Sequence, residues 1–243
     1  MRKIFLLPAV LCLTFVNSAF AKENTGKRFD FANTALLKKQ WMKKGKQFGV
    51  PMSTFVIVPA AGADDKRALS VKTDSSSGIL VTRIPEELWS QYPVLRWRWR
   101  ILKKAAITGK EPDDQAAVLY FGDGTMLKQQ LLAYRWEHAF KIGTQSLIKY
   151  SMGSTLVSRI CVRNKEAELS KWYQEERNVV EDFKKAFGRM PDGDCALTIG
   201  ANSQYSKSKT VVEIDFIEFR KAETKAALPC GELAVTAERK IEK

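Results

Sequence analysis

Hydrophobic and polar positions alternate with a period of two along most of the chain, and the runs are short and broken by Gly, Asp, Pro and Ser clusters. "STFVIVP" predicts a strand, and "ALSVKTDSSSGILVTRIP" predicts two strands joined through a Ser/Gly turn. "PVLRWRWRIL", "QAAVLYF", "QLLAYRWEHAF", "STLVSRICVRN", "CALTIGA" and "TVVEIDFIEF" continue the pattern to near the end of the chain. Eight or nine such strands predict a mostly β chain, an antiparallel β-sandwich of jelly-roll type. No internal repeat of useful period is present.

Two segments break the rhythm. "FANTALLKKQWMKKGKQFG" spaces Leu36, Leu37, Trp41 and Met42 among lysines and predicts a short basic amphipathic helix or an irregular lead-in. "KWYQEERNVVEDFKKAFGRMPD" places Val179, Val180, Phe183 and Phe187 at helical spacing, with Gly188 as a stop and Pro191 beyond it. The predicted helix runs from about 176 to 187, with Glu175 and Glu176 favourable at its start, and is read as an insertion covering one open end of the sandwich.

The N-terminus changes the picture of where the protein works. Arg2 and Lys3 precede an apolar run from Ile4 to Val16, and Ala19-Phe20-Ala21 forms an A-x-A cleavage signal. Residues 1–21 therefore read as a signal peptide cleaved after Ala21, too short to span a bilayer, and predict a periplasmic or secreted protein with no integral membrane span. Residues 22–35 follow as a lead-in, 36–221 as one β-sandwich domain, and 222–243 as a weakly structured tail. Loss of the leader removes two basic residues and no acidic ones, lowering the formal charge from +13 to +11. In an exported protein that excess implies anionic surroundings, such as acidic glycans or lipid head groups, or simply a solvated basic surface. Nucleic acid is not the expected partner.

Cys161, Cys195 and Cys230 survive maturation, enough for one disulfide and an odd thiol, with the pairing open. A single histidine, His138, and the absence of C-x-x-C spacing argue against a zinc or redox centre, and no cofactor or metal is predicted. G-x-S-x-G, Walker and H-E-x-x-H motifs are absent, and "PDGDC" reads as a turn.

The candidate chemistry lies in two constellations. In the first, Leu95, Trp97, Trp99 and Ile101 share one face of a strand and Arg96, Arg98 and Arg100 the other. The apolar face predicts the core. The arginines, about 7 Å apart, are either neutralised by acidic cross-strand neighbours, for which Asp114, Glu213 and Asp215 have the correct alternation, or line an open groove for carboxylates, sulfates or phosphates. In the second, "YRWEHAF", Glu137 lies beside His138, an invitation to acid/base chemistry. Adjacent strand residues point to opposite faces, however, so Glu137 falls with Arg135, as a partner for the arginine ladder, and His138 with Tyr134 and Trp136. Glu137 is the one weak catalytic candidate.

The order of "LRWRWR", "DDQAAVLYF", "LAYRWEHAFKIGT", "WYQEERNVVEDFKKAFG" and "EIDFIEF", from Trp41 to Phe219, resembles the bacterial family called domain of unknown function 3047. Its most telling parts are the L-x-W-x-W core and a helix motif matched by Arg177, Asn178, Val179, Asp182, Phe183, Phe187 and Gly188. The resemblance implies an exported bacterial protein and no established activity. Where members often carry an acidic D-x-D-N loop before the last strand, this chain has "GANSQYSKSK", so no site built on those aspartates is carried over.

The expected function is non-catalytic binding of an anionic or glycan polymer at the cell envelope. Arg96, Arg98, Arg100 and Arg135 would supply the charge, with Asp114 beside them and Tyr120 or Trp89 as stacking groups. The alternatives are a jelly-roll polysaccharide lyase or hydrolase using Glu137, and an accessory subunit of an envelope assembly.

Overall fold

The computed structural model describes residues 25–45, 48–106, 114–125, 128–138, 140–150 and 153–223. The leader, Cys230 and most of the C-terminal tail lie outside the described residues.

Two sheets pack face to face. One has the strand order β11-β6-β13-β4-β3 (Tyr173–Asn178, Val94–Lys103, Lys209–Arg220, Arg67–Asp74, Thr54–Pro59). Its long β13 pairs with β4 through its first half and with β1 (Thr25–Asp30) through its second. The other has the order β2-β5-β12-β7-β8-β10-β9 (Met42–Lys44, Ser77–Ile84, Cys195–Asn202, Gln115–Thr125, Lys128–Trp136, Thr155–Arg163, Gln145–Tyr150). All named pairings are antiparallel except β8 with β10. The chain is thus a mostly β sandwich, as the periodicity predicts.

The core is aromatic at its centre because the alternation of β6 meets that of β8. Trp97 and Trp99 are fully buried, with Trp97 against Tyr134 at 5.3 Å and Trp99 against Trp136 at 5.6 Å between ring centroids. Large rings facing each other across the layer fill it with few atoms of rotational freedom. The Trp99 indole donates to Glu175 and the Trp136 indole to the Asn164 carbonyl, so the polar edges of two of these rings are satisfied inside the sandwich.

Helices close the edges. α1 (Thr34–Gln40) matches the amphipathic segment near the N-terminus, and α2 (Glu86–Gln91) was not legible from the pattern. α3 spans Val179–Phe187, three residues shorter at its start than the sequence predicts. Glu175 and Glu176 belong instead to β11, in register with Trp97 and Arg96. Pairing with β6 outweighs their helical preference, and Asn178 sets the boundary by accepting from the Val180 and Glu181 amides. Gly188 ends the helix at φ 71°, where a side chain would be strained. Val179 and Phe183 are fully buried, and Asp182, also buried, accepts from the Tyr134 hydroxyl at 2.8 Å and from Arg177. The helix motif is therefore a device for seating α3 on β8 and β6.

Candidate functional site

The residues that the sequence gathers into one cationic surface are divided between the two outer faces of the sandwich. Arg96, Arg98 and Arg100 do face outward from β6, but carboxylates of β13 stand beside each. Arg96 pairs with Glu218, Arg98 with Asp215 at 2.9 Å, and Arg100 with Glu213 at 2.6 Å. Asp64 adds a contact to Arg98 at 3.2 Å, and Arg28 joins the network through Asp30, Asp64 and Glu218. Burial works against the Arg28 charge, but these carboxylates outweigh it and raise its pKa above the ordinary value. The Trp172 ring lies over Arg98 and Arg100, at 5.2 and 4.4 Å. The ladder is compensated, and its guanidiniums are already engaged by acids and an aromatic face.

Asp114 is not part of that ladder. It sits before β7 on the other sheet, where its carboxylate accepts from the Tyr205 and Ser206 amides at 3.3 and 2.7 Å. Arg135 and Glu137 are likewise on the other sheet, both buried, paired at 3.0 Å, with Arg159 3.7 Å from Glu137. The reason is simple: alternation fixes which side of its own strand a residue takes, and not which sheet the strand joins. His138 follows the end of β8 and borders, with Glu137, a cavity of only about 20 Å³, room for a water molecule and no substrate. Trp89 is buried and donates to the Gly193 carbonyl, so its ring is part of the core rather than a stacking platform.

Tyr120 alone among the expected contacts lies in a cavity of ligand size. This cavity, about 390 Å³, opens on the outer face of the β2-to-β9 sheet. Strand register builds it. Tyr120 on β7 stands directly across from Thr198 on β12 and Ala133 on β8, so short side chains flank the ring. Gly200 pairs with Ile79 and Val118, and a Cβ at Gly200 would come within 3.0 Å of the Ile79 side chain. The missing methyl gives the floor its depth.

The walls carry Tyr150 and Tyr205, both exposed, together with Gln115, Asn202 and Gln204. Two buried charges set these walls without lining them. Asp114 holds the turn that presents Tyr205, and Arg135 donates to the Gln115 Oε1 at 2.9 Å. That bond fixes the amide so that its NH₂ remains the group with donors to offer. No Asp, Glu, Lys or Arg lines this cavity among the described residues. The "ANSQY" segment, which ends β12 and opens the loop before β13, supplies Asn202, Gln204 and Tyr205. Sequence reasoning missed it because the period-two pattern ends there, although a tyrosine flanked by amides in a turn was a visible signal.

Cys161 and Cys195 are free and buried. Burial and the nearby Glu137 push the Cys161 thiol up to about 11, and burial and Asp123 push Cys195 up to about 12, so neither is a nucleophile at neutral pH. No described helix is long and apolar enough to cross a membrane.

A family model described as "Protein of unknown function (DUF3047)" matches residues 39–218. No curated protein matches the chain. Among solved structures, the carbohydrate esterase vb_24B_21 from Shiga toxin-encoding bacteriophage phi24B is similar at 12% identity, over 81% of this chain and 98% of that one, with a TM-score of 0.44. The xyloglucanase domain of NopAA, a type three effector from Sinorhizobium fredii, is similar at 11% identity over 80% and 97%, with a TM-score of 0.42. The family 11 carbohydrate-binding module of the cellulosomal cellulase Lic26A-Cel5E of Clostridium thermocellum is similar at 10% over 76% and 91%, with a TM-score of 0.36. No residue role is carried over from these structures.

Proposed function

The chain belongs to the DUF3047 family, whose description assigns no activity, and we propose from its own groove that it is an exported, non-catalytic glycan-binding protein acting at the cell envelope. The observation that carries the reading is the cavity of about 390 Å³ with Tyr120, Tyr150 and Tyr205 beside the amides of Gln115, Asn202 and Gln204. Pockets of this size bind through apolar faces that supply contact area and a few placed polar groups that fix orientation. Tyrosine rings suit the CH face of a sugar, and amides suit its hydroxyls, each able to donate and accept.

The charge pattern selects among glycans. A lining without charged groups neither attracts nor neutralises carboxylates and sulfates, so an uncharged polyhydroxylated chain fits better than the polyanion that the overall composition suggests. The lack of a carboxylate in the described lining also favours binding over a two-carboxylate hydrolysis. Arg96, Arg98 and Arg100 serve stability on the opposite face.

The test is a titration of the mature protein with linear neutral polysaccharides at 50 and 500 mM salt. Binding should be nearly independent of salt and should fall by about tenfold or more in Tyr120→Ala, as expected for a central tyrosine contact. It should be unchanged in Arg98→Glu, and no new reducing ends should appear. Retention of full affinity by Tyr120→Ala would refute the site, and release of reducing ends would replace binding with hydrolysis.

A further inference from the structure

We infer that the tyrosine-lined cavity is one half of a longer trough, and that its ligand is an internal stretch of a linear, uncharged polysaccharide lying along the strands. The inference rests on the glycan-binding reading above and adds the mode of binding.

A second cavity of about 450 Å³ opens on the same sheet face. Ile79 on β5, Thr198 on β12 and Leu131 on β8 line both, so the two adjoin on one sheet face, and the inferred trough is their union. One end lies at the Ser77–Asn202 register pair and the other at Arg83–Ala196. Six residue steps separate them, about 20 Å at ~3.3 Å per residue. A free sugar or a chain end would occupy only part of that length.

The floor is low at both ends. Gly200 keeps it open at the tyrosine end, and Ala196 faces Gly122 across the register at the other. Gly122 is fixed as glycine, since a Cβ there would lie 2.0 Å from the Gln130 carbonyl oxygen. Three of the four charged residues described in the lining of this far end are paired. Arg83 engages Asp194, and Asp123 receives two 2.7 Å bonds from Arg189 and a third from the Asp192 amide, with Lys44 at the rim. These pairings leave the polarity of the far half close to that of the tyrosine half.

The experiment uses the mature wild-type protein and a panel of β-glucan, α-glucan, xylan and mannan, followed by the di- to hexasaccharide series of whichever polymer binds. The hexasaccharide should bind at least tenfold more tightly than the disaccharide, and conversion of its reducing end to the alditol should change nothing. Ala196→Phe, which fills the far half, should cost the hexasaccharide about tenfold and leave the disaccharide unaffected. Equal affinity for short and long oligomers, loss of binding on end reduction, or an Ala196→Phe variant that melts normally and binds the hexasaccharide as the wild type does would each overturn the long trough. If Tyr120→Ala still abolishes binding in that case, the tyrosine site stands and only its extension fails. If no member of the panel binds, both readings fall together.

Discussion

Replacement of Asp182 by Ala tests the idea that the family's helix motif is a seat for α3 rather than a site. Asp182 is buried, and its oxygens take the Tyr134 hydroxyl at 2.8 Å and two Arg177 nitrogens at 2.8 and 2.5 Å. Without it, the fully buried Tyr134 hydroxyl has lost its acceptor, which costs about 1–3 kcal/mol. The Arg177 side chain is 39% exposed and recovers water, so the ion pair adds only about 0.5–1 kcal/mol. Loss of an acid from the first turn of α3 adds a few tenths more, about 0.3–1 kcal/mol. The sum, about 2–5 kcal/mol, corresponds to a fall of roughly 4–20 °C in Tm for a domain of this size. Tyr134→Phe alone should cost about 0.5–1.5 kcal/mol. The two changes together should cost less than their sum by about 1 kcal/mol, since a phenylalanine leaves no hydroxyl to orphan. Urea denaturation of the four proteins measures this cycle, and additivity within about 0.3–0.5 kcal/mol would refute the coupling. An alkaline arm checks the same contact. Burial, then the Asp182 charge, raises the Tyr134 pKa well above the usual 10.0. The folded state therefore keeps a proton that the unfolded chain releases, so this stability is full below about pH 10 and is lost as pH climbs from there toward the folded value. Tyr134→Phe should flatten that decline relative to wild type.

Two further outcomes follow from the buried charges and thiols. Arg98→Glu should destabilise the protein by about 1–3 kcal/mol in urea, less than for a wholly buried pair because Arg98 is 26% exposed, since it sets a carboxylate against Asp215 and Asp64; a change under about 0.5 kcal/mol would mean the ladder contributes little. Iodoacetamide at pH 8 should leave the peptides containing Cys161 and Cys195 unlabelled in the folded protein and label both past the urea midpoint; rapid labelling of the native state would contradict their burial and raised pKa values.

How far the sequence carries is clearest in β6 and β13. In "LRWRWR" the aliphatic neighbours of the tryptophans point that face inward, and Trp97 and Trp99 are fully buried. In "EIDFIEF" the alternation slips, because Asp215 and Phe216 both turn outward at a register shift, Asp215 to Arg98 and Phe216 beneath Arg28 and Arg96. The slip is visible as a three-residue step between the inward Ile214 and Ile217, and it lets β13 set Glu213, Asp215 and Glu218 all beside the arginines. Glu218 was legible in this way and was not among the expected partners. The sheet assignment of Arg135 and Glu137 was not legible, since strand order is decided by long-range pairing that local pattern does not encode. Nor was the role of Asp114, whose acceptors serve a turn more than ninety residues away in sequence.

The composition misdirects for a related reason. A chain with a formal charge of +13 invites an arginine-lined site, yet Arg28, Arg96, Arg98, Arg100 and Arg220 on one face are matched by Asp30, Asp64, Glu176, Glu213, Asp215 and Glu218. The surplus must therefore be carried by other groups, among them exposed lysines such as Lys38, Lys39, Lys43 and Lys44 on α1 and β2. Charge of that kind makes contacts that are diffuse and screened by salt, whereas the groove offers tyrosine rings and oriented amides whose contacts with an uncharged sugar persist in salt. Binding of a polyanion and binding of a neutral chain would thus differ in kind. The first should weaken steeply with ionic strength and ignore Tyr120→Ala; the second should depend on that ring and ignore the salt, so the two variables together separate the basic surface from the built site.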